Sequence, residues 1–169
     1  MLTQDELVHA LKLSPHPEGG FFRETYRASE ILAKGSLGAH HIGPRSASTA
    51  IYFLVTAGSF SALHRIASDE VWHFYGGHSL EVISIDEDNQ VHAVRVGMNL
   101  AEGEVPQYVV PRGRWFGSRL AAPHTADAYA LVGCTVAPGF DFADFELANR
   151  SVLVQRYPQH RAIIEALTR

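Results

Sequence analysis

From Ser48 to Ala137 the chain is a succession of short apolar segments separated by turn-forming residues, and this pattern constrains the fold more than any other feature. The segments have the length of strands and are bounded by Gly, Pro, Asp and Asn. Many short strands joined by turns are typical of an all-β barrel or sandwich. The pattern predicts strands at residues 49–55, 59–66, 70–75, 79–85, 91–97, 106–110, 114–119 and 128–137.

Short helices are predicted at both ends of the chain. Thr3 and Glu6 fit a capping box, which predicts a helix over residues 4–12. Pro158 is suited to the first position of a short C-terminal helix. A chain of 169 residues can bury one core without disulfides, so we expect a single domain over residues 1–169.

Two segments before the strand series have contrasting patterns. Phe21 to Arg27 alternates like a strand, with Phe22, Glu24 and Tyr26 on one face and Arg23 on the other. Residues 33–48 contain several Gly and Pro, which predicts a mobile loop near a pocket mouth. We expect the adjacent His40 and His41 of this loop to lie in solvent.

Composition excludes several function classes. The net charge of −4 and the pI near 6.2 argue against a protein that binds the phosphate backbone of nucleic acid. Apolar stretches are too short to span a membrane, and the first residues lack the pattern of a signal peptide. The single Cys134 lies in an apolar run, where a buried and inert thiol is expected. We therefore expect a cytoplasmic protein.

One constellation points to a known class of barrel. Gly58, His64, Glu70 and Gly77 have spacings that resemble the first motif of the cupins, whose His-x-His and Glu bind a metal inside the barrel. Residues 111–116, Pro-Arg-Gly-Arg-Trp-Phe, resemble the second motif, which ends in a further His ligand. The resemblance implies a double-stranded β-helix, the cupin jelly-roll barrel, with His64 and Glu70 facing its interior.

Two of the four metal ligands of that motif are replaced by apolar residues. The second His of His-x-His is Ile66, and the His of the second motif is Phe116. Apolar side chains supply neither a coordinate bond nor charge compensation to a metal. We therefore expect no metal cofactor; the alternative is a divalent transition metal held by His64 and Glu70 with a third ligand such as His73 or His124.

Across nearly the whole chain, the pattern resembles one branch of the cupins, the uncharacterised cupin family 5. This resemblance implies a barrel that is commonly dimeric, and it brings no established reaction with it. A homodimer that pairs through an N-terminal strand would also protect a barrel edge. The matching segments are residues 16–27, 48–54, 64–65, 69–72, 132–140 and 144–147.

A second resemblance is to the sugar-nucleotide 3,5-epimerases, which are cupins that work without a metal. Residues 20–26 are similar to their Gly-Phe-Phe-x-Glu-x-aromatic segment, in which the second Phe and the Glu contact the nucleotide. By this match Phe22 and Glu24 are candidate ligand contacts. His64 falls where those enzymes place the base that removes a proton next to a carbonyl, and Asp141 or Asp144 could support that base.

Each candidate residue also has a structural interpretation. His64 and Glu70 are candidate catalytic groups because a neutral imidazole and a buried carboxyl suit proton transfer, but Glu70 could instead form a salt bridge with Arg65 or Arg23. Arg23, Glu24 and Tyr26 are candidate polar ligand contacts or the solvated face of an edge strand. Phe116 is a candidate ring for stacking on a ligand or plain core.

These observations favour a cupin that binds a small polar, sugar-like or nucleotide-sugar-like carbonyl compound, with metal-independent epimerase or isomerase chemistry. One alternative is a metal-dependent cupin enzyme with a rebuilt site. Another is a metabolite-binding protein without catalysis, and a third is a mainly structural dimer with a vestigial pocket.

Overall fold

A computed structural model describes residues 2–122 and 125–169. Short helices and 3₁₀ turns flank and interrupt a series of strands. The helices are α1 (Gln4–Ala10), α2 (Arg150–Arg156) and α3 (Arg161–Ala166), and the 3₁₀ turns are Lys34–Ser36, Leu100–Glu102, Phe142–Asp144 and Pro158–His160. The strands are β1 (Ser14–Pro15), β2 (Phe21–Arg27), β3 (Ile31–Leu32), β4 (Arg45–Ser46), β5 (Thr49–Thr56), β6 (Ser61–Arg65), β7 (Asp69–Gly77), β8 (Leu80–Ile85), β9 (Val91–Val96), β10 (Gln107–Val110), β11 (Trp115–Leu120), β12 (Tyr129–Ala137) and β13 (Glu146–Leu147).

Two antiparallel sheets face each other and form a jelly-roll barrel. The six-stranded sheet has the order β1-β2-β5-β12-β7-β10, and the five-stranded sheet has the order β13-β6-β11-β8-β9. The two short strands β3 and β4 pair with each other outside these sheets. The predicted all-β jelly-roll barrel with short terminal helices is therefore confirmed.

Apolar side chains fill part of the barrel interior and attach the helices to its outside. Both sheets contribute to the inner cluster, which includes Phe53, Trp72 and Phe116. Helix α1 covers part of the outer face of the six-stranded sheet, where Leu7 packs near Leu54. Helices α2 and α3 cover the outer face of the five-stranded sheet. The helices within residues 2–122 and 125–169 lack the length and apolar character needed to cross a bilayer.

The predicted strands are all present, and their ends differ from the prediction by a few residues at most. The capping box of α1 forms, because Thr3 accepts from Glu6 N–H and the Glu6 carboxylate accepts from Thr3 N–H. Helix α1 ends before Lys12, whose φ of 52° is incompatible with a continuing helix. Pro158 begins a 3₁₀ turn rather than α3 itself. Helix α2, capped by the Asn149 side chain, was not predicted.

The prediction for the 33–48 loop is wrong in one respect, because His41 is buried. Its side chain is 1% exposed and lies 3.1 Å from the Asp144 carboxylate, whereas the neighbouring His40 is exposed. Arg45 Nε also donates to Asp144, at 2.6 Å. Burial opposes ionisation of Asp144, but the hydrogen bonds from Arg45 and His41 outweigh it and lower the pKa of that carboxyl. This buried cluster ties the loop to the segment that follows β12.

Removing the charge of Asp144 should destabilise the fold strongly. In Asp144→Asn the buried Arg45 loses its counter-ion, which costs about 3–5 kcal/mol of unfolding free energy when a buried pair is broken. Urea denaturation measures this loss. The control is Glu165→Gln, which breaks the exposed pair with Arg161 and should cost less than about 1 kcal/mol. Equal losses in the two variants would contradict this account of the cluster.

Candidate functional site

A cavity of about 240 Å³ lies inside the barrel, beside the apolar cluster. Its walls come from both sheets and from the segment that follows β12. Polar and titratable side chains line it together with aromatic rings. The lining residues are His16, Glu18, Phe22, Glu24, Arg27, Thr49, Ile51, Phe53, His64, Glu70, Cys134, Val136, Phe140, Asp141 and Phe142.

His64 lies on β6 and is held in one orientation and one tautomer. Its Nδ1 lies 2.8 Å from the Ala62 carbonyl oxygen, which can only accept a hydrogen bond, so Nδ1 carries a proton. The other ring nitrogen, Nε2, lies 3.2 Å from a carboxyl oxygen of Glu18. The ring is 2% exposed, and burial lowers its pKa below the usual 6.5. His64 is therefore neutral near pH 7, with its Nε2 lone pair directed at Glu18.

Glu18 is the buried partner of His64. Burial raises the pKa of its carboxyl to about 8, so the carboxyl is protonated at neutral pH and can donate to Nε2. The other carboxyl oxygen accepts a hydrogen bond of 2.8 Å from the Ser61 hydroxyl. The next residue, Gly19, has φ of 110°, and a Cβ there would lie 2.2 Å from the Phe60 carbonyl oxygen. The turn that aims Glu18 inward therefore requires glycine.

Glu18 is not among the site residues that the sequence predicts. The expectation that Asp141 or Asp144 supports His64 is wrong. Asp144 binds Arg45 and His41, and Asp141 accepts from the Ala143 N–H while its side chain lines the cavity. The available signal was a carboxylic acid directly before two glycines at the start of a strand, although nothing in that pattern identifies its partner.

Glu70 lies on β7 and is buried beside His64. Burial raises the pKa of its carboxyl to about 7; the nearby His64 lowers this value and Glu18 raises it. The Cys134 thiol hydrogen-bonds to Glu70, and burial keeps the pKa of this thiol well above its usual range. The alternative of a salt bridge to Arg65 or Arg23 is wrong. Arg65 pairs with Glu146 at 2.6 Å, and Arg23 lies on the outer face over the ring of Tyr52.

His16 adds a fourth titratable group to the cavity. Its Nδ1 accepts a hydrogen bond of 3.3 Å from the Glu18 backbone N–H. Burial, and to a lesser degree repulsion from His64 when that imidazole is protonated, lowers the pKa of His16 to about 4. At pH 7 the interior therefore holds two neutral imidazoles and two carboxyls whose pKa values, about 7 and about 8, are close to the pH. Such a cluster can accept and donate protons within one closed space.

A β-bulge in β2 determines which of its side chains reach the cavity. The register of β2 with β5 shifts between Glu24 and Tyr26, so Thr25 is the extra residue. The Thr25 hydroxyl donates to the Ala50 carbonyl oxygen. Glu24 and Arg27 consequently line the cavity mouth, while Tyr26 turns away and is 55% exposed. The predicted strict alternation of Phe22, Glu24 and Tyr26 is therefore wrong beyond Glu24.

The structure brings together only some of the predicted site residues. His64, Glu70, Phe22 and Glu24 line the cavity, whereas Arg23 and Tyr26 do not. Phe116, the candidate for stacking on a ligand, is also outside the lining. It is 1% exposed, and its ring centroid lies 4.1 Å from that of His64. The Phe116 ring therefore packs against the imidazole without lining the cavity.

The residues at the cupin metal-ligand positions do not fit a metal. Ile66 and Phe116 belong to the apolar cluster, and both nitrogens of His64 have protein partners. His73, proposed as a substitute ligand, instead makes hydrogen bonds to Thr135 and Gln107, so it is not placed to complete a site with His64 and Glu70. His124, the other substitute, lies outside the described residues. Among the described residues, no group of three or more His, Cys, Asp or Glu is placed to hold a metal ion.

The fold and the interior site define a cupin barrel. The model of the family described as "Cupin superfamily (DUF985)", cupin family 5, matches residues 5–148, and the chain belongs to this family. The chain is 31% identical over 144 residues to the "Uncharacterized protein YML079W" of Saccharomyces cerevisiae, across 82% of this chain and 72% of the yeast protein.

Solved structures of similar proteins agree with this assignment. Protein SO0799 from Shewanella oneidensis is 38% identical with a TM-score of 0.89, covering 100% of this chain and 99% of that one. A hypothetical protein from Leishmania major is 38% identical with a TM-score of 0.88 and 99% coverage of both chains. The E162A mutant of Bacillus subtilis oxalate decarboxylase, 15% identical with a TM-score of 0.54, covers 92% of this chain and 37% of that protein. This last similarity shows the shared fold alone.

The raised carboxyl pKa values predict a fall in stability at mildly alkaline pH. Between pH 6.5 and 8 the folded protein retains protons on Glu18 and Glu70 that the unfolded chain has released, so unfolding free energy falls as pH rises. The slope should be roughly 1 kcal/mol per pH unit. Below pH 6.5 the unfolded chain binds protons on His16 and His64 that the folded protein does not bind, because the pKa values of both are lowered by folding. These two groups therefore make the unfolding free energy rise as pH rises.

Urea denaturation of Glu18→Gln across this range measures the effect. The amide imitates the protonated carboxyl, so most of the slope should disappear while the fold is kept. The control Glu87→Gln changes an exposed residue of the β8–β9 turn and should keep the wild-type slope. A slope that is unchanged in Glu18→Gln would contradict the assignment of a protonated Glu18.

Proposed function

We propose that this cupin binds a small polar carbonyl compound in its barrel and catalyses a metal-independent proton transfer on it, as epimerases and isomerases do. The observation that carries the proposal is the convergence of His64, Glu18 and Glu70 in one buried cavity, with Nε2 of His64 3.2 Å from Glu18. The absence of suitable ligands at positions 66 and 116 supports a reaction that needs no metal.

The contacts of the two carboxyls suggest their roles. Glu18 is engaged by Nε2 of His64 and by the Ser61 hydroxyl, so its proton belongs to the Glu18–His64 pair. Glu70 has the Cys134 thiol as its hydrogen-bond partner and is favoured as the base.

The proposed reaction moves protons only. Glu70 removes the proton from the carbon next to the carbonyl, and the Glu18–His64 pair donates its proton to the carbonyl oxygen, which gives a neutral enol. The pair then takes back the proton from the enol oxygen while carbon is reprotonated. If water delivers a proton to the opposite face of the same carbon and Glu70 gives its proton to the resulting hydroxide, the reaction is an epimerisation. If a proton moves between the two oxygens and Glu70 returns its proton to the neighbouring carbon, the reaction is an isomerisation.

The remaining walls suit a compact ligand with both polar and apolar faces. The rings of Phe22, Phe53 and Phe140 line the cavity together with hydrogen-bonding groups. Apolar walls with a few convergent polar groups are common in small-molecule sites. A sugar-like molecule, with C–H faces and a rim of hydroxyl groups, has the matching surface.

Hydrogen exchange in D₂O tests this function directly. Wild-type protein incubated with a panel of aldoses and ketoses should catalyse deuterium incorporation next to the carbonyl of at least one of them, measured by NMR. Exchange should persist in a metal chelator. In His64→Asn, which can still donate toward the Ala62 carbonyl but lacks Nε2, the rate should fall about 10²- to 10⁴-fold.

The matched control is His92→Asn, which removes an exposed imidazole that pairs with Asp86 outside the cavity, and it should exchange at the wild-type rate. Exchange that requires added metal would contradict the proposal, as would equal rates in the two variants. A compound that binds the cavity and exchanges no hydrogen would favour the alternative of a binding protein without catalysis.

A further inference from the structure

Carboxyl groups outnumber lysine and arginine side chains in the cavity lining. Glu18 and Glu70 lie in its interior, and Glu24 and Asp141 also contribute to its walls. Among the described lining residues, Arg27 is the only Lys or Arg. A ligand in this cavity therefore meets four carboxyl groups and one guanidinium.

The guanidinium of Arg27 is already occupied. Its Nε and Nη2 donate to the two carboxylate oxygens of Glu24 at 2.9 and 2.7 Å, and Nη2 also donates to the Phe140 carbonyl oxygen at 3.2 Å. This two-pronged geometry is the one by which arginine recognises carboxylates and phosphates. Because Glu24 fills it, neither the charge nor the fork of donors is free for an anionic ligand.

We propose that the cavity selects an uncharged, unphosphorylated sugar and rejects its phosphate and nucleotide-diphosphate esters. The inference specifies the substrate class of the proposed proton transfer. It rests on the proposed function only for the presence of a carbonyl group in the ligand. A phosphate ester carries between one and two negative charges at neutral pH. Here those charges would meet the carboxylate of Asp141 and a Glu24–Arg27 pair that has no net positive charge to offer, and like charges close together are repelled.

The interior is suited to an uncharged ligand for a second reason. The imidazoles of His16 and His64 and the carboxyl of Glu18 are uncharged at pH 7, so the inner wall presents polar groups without a positive charge for an anion to pair with. Phe22, Phe140 and Phe142 supply aromatic faces for the C–H surface of a sugar ring. The similarity of residues 20–26 to the nucleotide-contacting segment of the epimerases therefore does not extend to its ligand, because Glu24 is engaged with Arg27.

Calorimetric titration at pH 7 with matched probes tests the selectivity. The probes are free aldoses and ketoses, and the 6-phosphates and uridine-diphosphate conjugates of the same sugars. At least one free sugar should bind, and its phosphorylated derivatives should bind at least tenfold more weakly. A phosphate or nucleotide derivative that binds as tightly as its parent would overturn the inference, and so would a complete lack of binding by free sugars.

A charge-removal variant tests the cause of the selectivity. Glu24→Gln keeps the shape of residue 24 but releases the charge of Arg27, so the affinity for the 6-phosphate relative to the free sugar should rise at least tenfold. The control Glu146→Gln releases Arg65 from a similar pair outside the cavity and should leave this ratio unchanged. An unchanged ratio in Glu24→Gln, or an equal rise in both variants, would overturn the inference.

Failure of the inference and failure of the proposed function give different results. A free sugar that binds selectively but exchanges no hydrogen in D₂O contradicts the proton transfer and leaves the charge selectivity standing. A phosphorylated sugar that both binds and exchanges hydrogen contradicts the charge selectivity and leaves the proton transfer standing.

Discussion

Burial of Glu18 against His64 is the interaction on which the interior of this barrel depends. His64 and Ser61 belong to the five-stranded sheet, whereas Glu18 precedes the first long strand of the six-stranded sheet. The contact therefore joins the two sheets across the barrel. The Glu18 backbone reinforces this junction, because its carbonyl oxygen accepts hydrogen bonds from Ala62 N–H and from the Arg169 side chain, each of 2.8 Å. A buried carboxyl is costly unless it is neutral or paired, and Glu18 is both protonated and hydrogen-bonded.

The loss of the cupin metal ligands and the properties of the remaining groups have a common physical origin. Where a metal-binding cupin would place imidazoles, Ile66 and Phe116 leave His64 and Glu70 in an apolar surrounding. Desolvation then lowers the pKa of His64 and raises that of Glu70. The same residues that do not suit a metal therefore favour the uncharged forms of both groups. The proposed proton transfer makes use of this property.

The sequence predicted much of the fold and part of the site, and the difference follows from the range of the interactions. Strands such as β5 and β12 have local signals, because alternation and turn residues are encoded within a few positions. The bulge at Thr25 depends on its pairing with Ala50, and the burial of His41 depends on Asp144, about a hundred residues away. Glu18 likewise acquires its role through Ser61 and His64. A local sequence pattern does not indicate which distant residues will be in contact after folding. Helix α2 had a usable local signal in its Asn149 cap, which was not recognised.

The function of the Glu18–His64 pair depends on the tautomer and charge of His64, and nitrogen NMR of the ¹⁵N-labelled protein measures both. The His64 signals can be assigned by their loss in His64→Asn. At pH 7 we expect a neutral ring with its proton on Nδ1 and an unprotonated Nε2 that accepts from Glu18. A ring protonated on Nε2 alone, or an imidazolium paired with an ionised Glu18, would contradict it.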